Sequence, residues 1–332
     1  MAPLRYLTPF AFLALVPLGG WLGGAWTFLA AAATPLCLAS LDSALGEDDA
    51  RTGTASRWLP RIYILLQLAA TGWAAALVAR PTTTLLEAVG LTLSTGMTTG
   101  VFGFVAAHEM IHSRRRKDRA LGLALLGSVL YMHFRIAHVY GHHRRAATFE
   151  DPATARLGEG LYAFLLRSIA GQFREAWAFE AKRQRHNRMI IYVALELLFL
   201  LAMALVSIRA LLFVIAVAIL AVTLLESFNY VAHYGLSRRM RRNGRPEPLG
   251  LRHSWNSGRR MNNAALFNMG RHSDHHRRTS RPYAQLEELL EEPKLPSGYA
   301  AALLTALLPP LWRRLMDARA ERVMAAGRWT GR

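Results

Sequence analysis

The sequence predicts an all-α integral membrane protein of about six transmembrane helices, with its histidines gathered on the cytoplasmic side. Three observations carry that expectation. Uncharged apolar blocks long enough to cross a bilayer recur through the first 235 residues. The basic residues collect on one side of the topology those blocks define. Eight of the 12 histidines fall into three tight clusters, and a ninth, His233, ends the sixth span on that same side.

The first helices come from a run of 36 residues between Arg5 and Asp42 with no charge. At ~1.5 Å per residue this run is too long for one crossing and enough for two. The Gly19-Gly20 pair is the expected turn, giving spans near 6–18 and 21–41, the first short enough to be a re-entrant hairpin as well. No small-residue cleavage site follows a basic segment, so no removable signal peptide is expected. A polar segment, 42–57, leads to a third span at 62–79, bracketed by Arg61 and Arg80. The fourth runs from about Leu85 to Ala107, with Glu87 near its start.

Residues 108–188 are polar and basic apart from 120–134, whose length suits a buried or interfacial helix better than a crossing. Spans five and six, 189–208 and 210–232, flank so short a connection at Arg209 that they must form a helical hairpin. Leu303 to Trp312, with Pro309 and Pro310, suits a short interfacial helix or a packed terminal element. The expected division is a transmembrane domain, 1–235, with a cytoplasmic insertion at 108–188, followed by a cytoplasmic C-terminal region, 236–332.

Charge tests this topology. With the N-terminus inside, the far-side loops hold only Arg80 and Arg209, and the other 38 of the 40 Lys and Arg lie on the near side. The positive-inside rule makes that side cytoplasmic, with both termini on it, in a bacterial-type inner membrane. The net charge of +18 on a chain 52% hydrophobic is therefore an orientation marker, and no nucleic-acid partner is expected. The one cysteine, Cys37, excludes a disulfide framework, a CxxC zinc site and an internal iron–sulfur or rubredoxin-type module. Any metal must be held by His or carboxylate.

The histidines supply such ligands. His108 and His112, in HExxH, stand one helical turn apart, where both can reach one metal. His138, His142 and His143 repeat the turn and add a neighbour, and His272, His275 and His276 share one face if helical. His233 ends the sixth span. HExxH alone is usually the helix of a zinc protease, but such a site needs three protein ligands and has no use for three more clusters. Nine clustered imidazoles exceed one four-coordinate zinc and fit two metals, and imidazole also suits iron. Beside a bilayer, a site of this kind suggests dioxygen chemistry on an apolar substrate.

At this point the residues resemble a known family. His108–His112, the HxxxHH at 138–143 with the following Ala146-Ala147-Thr148-Phe149-Glu150-Asp151-Pro152-Ala153, the NYxxHYG at 229–235 and the RHSDHH at 271–276 are similar to the membrane-bound alkane monooxygenases. These belong to the wider fatty-acid desaturase and hydroxylase superfamily. His253-Ser254-Trp255-Asn256-Ser257 looks like that family's segment between the last two boxes. The likeness spans roughly 60–280.

The resemblance implies a six-helix membrane domain, a cytoplasmic non-haem diiron site, and hydroxylation of a terminal methyl by O2 with electrons from a rubredoxin or ferredoxin and its reductase. The implied ligands are His108, His112, His138, His142, His143, His233, His272, His275 and His276. His253 is a candidate partner of the ligands, while His133 and His186 read as structural or interfacial. Asp151 and Asp274 are expected to hydrogen-bond ligating imidazoles, and Glu226, seven residues before His233 and inside a span, is a further candidate. Such electron carriers are generally acidic, and Arg114–Arg116, Arg144-Arg145 and Arg238–Arg242 offer a landing surface, though anionic lipid headgroups explain the same charges.

Two departures stand out. Family members that oxidise alkanes commonly carry Glu before the His of NYxxHYG, where this chain has Ala232, so a different partner for His233 or altered chemistry is expected. Met269-Gly270 replaces Leu-Gln before RHSDHH. Related enzymes acting on aryl methyl groups, as in xylene, or on lipid chains as desaturases or hydroxylases, remain alternatives, as does a non-catalytic membrane protein that binds metal or nucleic acid.

Overall fold

In a hydrocarbon layer a chain must satisfy its backbone N–H and C=O groups internally, which leaves apolar blocks of this kind only the helix. The computed structural model describes residues 4–48, 57–183 and 186–326, and these are helices joined by turns and loops, with isolated bridges and no strand. Of the polar segment at 42–57, residues 49–56 lie outside the described residues. Among the described residues, five stretches are long and apolar enough to cross a membrane: Gly24–Leu45, Trp58–Ala79, Leu85–Ile111, Arg188–Val206 and Ile208–His233.

The first expected span is the shorter α1 (Thr8–Leu22), 15 residues long. A 3-10 turn, Leu4–Leu7, precedes it. At about 2.0 Å per residue in that turn and 1.5 Å in the helix, the two reach roughly 30 Å, the thickness of a hydrocarbon core. The chain does not reverse at Gly19-Gly20 as expected. A Cβ on Gly19 would lie 2.3 Å from the Trp26 carbonyl oxygen and one on Gly20 2.5 Å from the Trp73 ring, so these glycines serve close contact. The reversal falls at Gly23 and Gly24, whose φ of +72° and +53° lie where a Cβ is strained.

After α1 come α2 (Leu29–Leu45), α3 (Trp58–Ala79) and α4 (Leu85–Ile111, with a π-helical turn at Thr99–Gly103). Thr84 caps α4 reciprocally with Glu87. Next come α5 (Arg116–Ser128), which is the expected helix near 120–134, α6 (134–145) and α7 (Leu161–Ala181). The hairpin α8 (Arg188–Val206) and α9 (Ile208–His233) turns at Ser207, whose side chain caps α9. The remainder is α10 (Arg260–Ala265), α11 (His272–Arg277), α12 (Tyr299–Ala306) and α13 (Pro309–Ala326). The terminal element expected at 303–312 is thus the junction of two helices.

Hydrogen bonds show which turns share an end of the bundle. The Gly24 N–H donates to Glu87 Oε1 at 2.9 Å, joining the α1–α2 turn to the start of α4. Arg209 donates to the carbonyls of Arg80 at 2.7 Å and Thr83 at 2.5 Å, joining the α8–α9 turn to the α3–α4 turn. At the opposite end Arg5, before α1, pairs with Asp48 at 2.9 Å. The histidine clusters stand at this second end.

Candidate metal centre

Each histidine box takes its geometry from how its backbone winds. In box one, regular helix resumes at Phe104–Ile111 after the π-helical turn, and the His108 and His112 rings meet edge to face along one side with centroids 4.7 Å apart. Box two is a π-helix at Ala137–His142, in which residues five apart face the same way. His138 therefore faces with His143, and His142 turns aside, a correction to the α-helical turn expected there. Box four is the short helix α11, where His272 and His276 share one side. His275 faces the other, so the three do not share the single face expected of them.

The nine imidazoles sort into two groups. His108, His112, His138, His143 and His275 form one, and His142, His233, His272 and His276 the other, with ligand atoms in each group within 4.8 Å of one another. His143 Nε2 lies 2.9 Å from His138 Nε2, 3.1 Å from His112 Nε2 and 3.2 Å from His275 Nε2. One N–H cannot donate to three acceptors at once, so nitrogens converging in this way suit a shared cation. In the second group His272 Nε2 lies 3.2 Å from His233 Nε2 and 3.1 Å from His276 Nε2, while the buried His142 Nε2 has no hydrogen-bond partner. This donor set fits metal.

The electrostatics agree. Burial and the neighbouring imidazoles hold His138, His143, His272, His275 and His276 well below the ordinary histidine range, and burial first, then His142 and Arg135, push His112 down to about 3. A ring that resists protonation keeps its lone pair for a metal.

The candidate carboxylates separate. Asp151 Oδ2 lies 2.8 Å from His142 Nδ1 and also accepts from Thr154 Oγ1 at 2.7 Å. Burial raises its carboxyl, but His142 and these hydrogen bonds more than offset it and hold Asp151 below its usual range. Asp274, expected to bond an imidazole, instead accepts from Arg281 Nη1 at 2.8 Å and the Glu287 N–H at 3.0 Å, bracing the segment after α11. Glu226 accepts from Tyr131, Ser168, Gln172 and Asn229 at 3.0, 2.6, 2.7 and 3.3 Å, with no histidine among them, and ties α7 to α9.

His253 contributes its backbone. Its carbonyl oxygen lies 3.1 Å from His233 Nδ1, while its own ring bonds Glu247 Oε1 and the Gly250 N–H at 3.1 and 2.8 Å. Beside Ala232, the partner of His233 is therefore a main-chain carbonyl. Ala232 is fully buried and its carbonyl accepts the Trp255 N–H at 2.7 Å. Asn256 Oδ1 accepts the Ser273 N–H at 2.7 Å, so the segment 253–257 buckles the NYxxHYG box to box four. At Gly270 a Cβ would come within 2.7 Å of the Ser257 carbonyl, which favours glycine there. His133 packs between the rings of Tyr131 and Phe173, and His186 is exposed.

Sequence reasoning missed Asp48, which accepts from Arg5 at 2.9 Å and from Arg271 Nη2 at 3.2 Å and so holds the residue before His272. No local signal marks a pairing across 223 positions. A cavity of about 350 Å³ between α2, α4, α9 and α12 reaches His108, His138 and His272. Its walls are apolar, and beside His272 the rings of Phe228 and Tyr299 stack at 4.3 Å.

This arrangement can now be set against known proteins. The sequence pattern of fatty acid desaturases matches residues 82–304, the stretch that carries all four boxes. The chain belongs to the fatty acid desaturase family. Within that family it is 39% identical to alkane 1-monooxygenase 1 of Pseudomonas aeruginosa, over 83% of this chain and 78% of the relative. It is 36% identical to alkane 1-monooxygenase 2 of the same organism, over 91% and 88%. A further relative, the hydroxylase component XylM of a Pseudomonas putida xylene/toluene monooxygenase, is 30% identical over 70% and 64%. This desaturase-family chain is accordingly an oxidoreductase of the alkane monooxygenase branch and a multi-pass membrane protein with a histidine-rich metal site.

Proposed function

We propose that this enzyme hydroxylates the terminal methyl group of an alkane or alkyl chain at a dinuclear iron centre, with O2 as co-substrate and electrons from a rubredoxin or ferredoxin and its reductase. The observation that carries the reading is the meeting of two imidazole groups with the inner end of an apolar cavity. The names of its relatives point to the same substrate class.

The five-histidine group would hold one iron and the four-histidine group the other. Iron held there would activate O2, with electrons from the carrier, so that one oxygen atom enters a C–H bond and the other leaves as water: R–CH3 + O2 + 2 e− + 2 H+ → R–CH2OH + H2O. The chain's own residues bind, orient and exclude water. Asp151 and the His253 carbonyl accept from the Nδ1–H of His142 and His233, which fixes the tautomer that leaves Nε2 for metal. Leu224, Phe228, Tyr299 and Leu303 line a slot without charged groups, so apolar contact and shape alone decide which carbon lies beside the histidines. In this reading the histidine end and both termini face the cytoplasm, where the arginine-rich surface receives an acidic electron donor. A second reading, oxidation of an aryl methyl group, is favoured by Ala232 and the likeness to XylM.

Iron quantitation with product analysis tests both. Purified protein given a rubredoxin, its reductase and O2 is offered octane, xylene and a fatty acid. Iron near two per chain and 1-octanol are expected. Methylbenzyl alcohol in excess of 1-octanol selects the second reading, and zinc at one per chain, or no iron, overturns both.

A further inference from the structure

A helix on a water-facing surface turns its apolar residues inward and its polar ones outward. Helix α7 departs from that pattern on both faces. Its buried residues Leu161, Phe164, Ser168, Gln172, Ala176 and Glu180 recur every three or four positions, and half are polar. Those polar groups are satisfied inside: Ser168 and Gln172 donate to Glu226, and Glu180 receives Arg188. Its outward face carries Tyr162, Leu166, Ala170, Phe173 and Trp177, a single stripe from Tyr162 to Trp177, with Leu166 77% exposed. Arg174 is the one charge among the exposed residues of α7.

Both ends of α7 are tied to membrane-level elements. The Glu180–Arg188 pair fastens its C-terminal end to the first residue of α8, a candidate span of which only 11% is buried. At the other end Tyr162 Oη donates to the Leu307 carbonyl at 2.9 Å, and Leu304, Leu307, Leu308 and Leu311 of the α12–α13 junction are exposed in their turn. Lys182 and Arg183 follow the stripe, and Tyr and Trp bracket it, the composition of a helix at a headgroup boundary.

We propose that α7 and the α12–α13 junction form an apolar collar seated in the interfacial layer of the bilayer, with Tyr162, Leu166, Phe173 and Trp177 bound to lipid acyl chains. Leu304 and Leu307 also line the apolar cavity, so the collar borders the route from lipid to the histidines. This inference stands apart from the reaction assigned above.

Spin labels read the depth directly. In a Cys37→Ala background, Leu166→Cys and Phe173→Cys are labelled singly in the full chain. The protein is reconstituted in phosphatidylethanolamine–phosphatidylglycerol vesicles, and collision with O2 is compared with collision with a water-soluble nickel chelate. Glu150→Cys gives the aqueous reference and Leu198→Cys, exposed on α8, the lipid reference. The expected result is an O2-to-chelate ratio at 166 and 173 several-fold above that at Glu150 and close to that at Leu198. A ratio equal to that at Glu150 overturns the proposal. So does shielding from both reagents with spin–spin broadening, which means that a second copy covers the stripe. If either variant fails to assemble, Ala170→Cys takes its place on the same stripe and is read the same way.

Discussion

The two histidine groups are built differently although two of the four boxes, the second and the fourth, contribute to both. In the five-membered group His112 and His143 are partly open to solvent, and the buried Nδ1 atoms of His108 and His143 have no protein partner. In the four-membered group every ring is buried, and two of the four Nδ1 atoms are held, one by the Asp151 carboxylate and one by the His253 carbonyl. The first group has imidazoles to spare and access to water, while the second has few ligands and fixes their orientation. A carboxylate behind an imidazole raises its basicity, so the smaller group compensates for its ligand number through hydrogen bonds.

The sharpest way to break this comparison is to delete one ring from each group. His272 sits between His233 and His276, and His272→Ala leaves three imidazoles in a buried site that water cannot easily complete. We expect about half the bound metal to be lost and product to fall below detection. His112→Ala leaves four imidazoles and a solvent-open position, so it should retain more metal. Equal losses, measured by metal analysis of the purified variants, would dissolve the distinction.

Acid should act next most strongly. Imidazoles held below the ordinary range by burial stay neutral in the folded chain, while unfolded histidines take up protons near pH 6.5. Their contribution to stability is therefore complete above about pH 6.5 and is lost as pH falls from there toward their depressed folded values. At pH 5 each fully buried ring that remains neutral costs roughly 2 kcal/mol. Asp151, also held low, adds its loss only below about pH 4, its unfolded value. The thermal midpoint of the metal-free protein should drop between pH 7 and pH 5. A flat profile would mean that the rings are hydrated.

Several of these features were legible before the fold. Uncharged blocks between basic residues located the helices because lipid leaves a backbone no other choice, and the turns carrying Arg80 and Arg209 do meet at one end of the bundle. The i, i+4 spacing of His108 and His112 read correctly as one helical face. The same spacing misled at box two, because His138 and His142 lie on a π-helix and a spacing rule assumes the winding. Gly19-Gly20 looked like a turn, but glycine serves close packing as well as reversal, and only φ distinguishes them. Asp274 reads as a ligand partner from its position inside the box, yet Arg281 occupies its carboxylate. The His253 carbonyl could not be read at all, since a main-chain acceptor leaves no mark in side-chain identity.

A smaller effect is expected where the smaller group is braced by a side chain. Asp151→Asn keeps the shape and removes the charge, and one of its amide positions must present N–H where the carboxylate accepted. Metal affinity or turnover should fall about 10- to 100-fold, the range typical for such partners. The loss should fall on the four-histidine group, leaving the spectroscopic signature of the other intact. Unchanged affinity would remove Asp151 from the account of that group.

The smallest effect separates the two ways in which a residue can serve the centre. His253 lies in a recognisable motif, and its ring is the obvious candidate for its role, but the atom facing His233 Nδ1 is its carbonyl oxygen. The ring holds the loop through Glu247 and the Gly250 N–H. His253→Ala therefore preserves the carbonyl and removes two ring hydrogen bonds, each worth about 0.5–1.5 kcal/mol. Thermal stability should fall modestly, with metal content and turnover near wild type. If His253→Ala behaves like His272→Ala, the ring and not the carbonyl supports the metal, and the smaller group loses one of the two braces that set it apart.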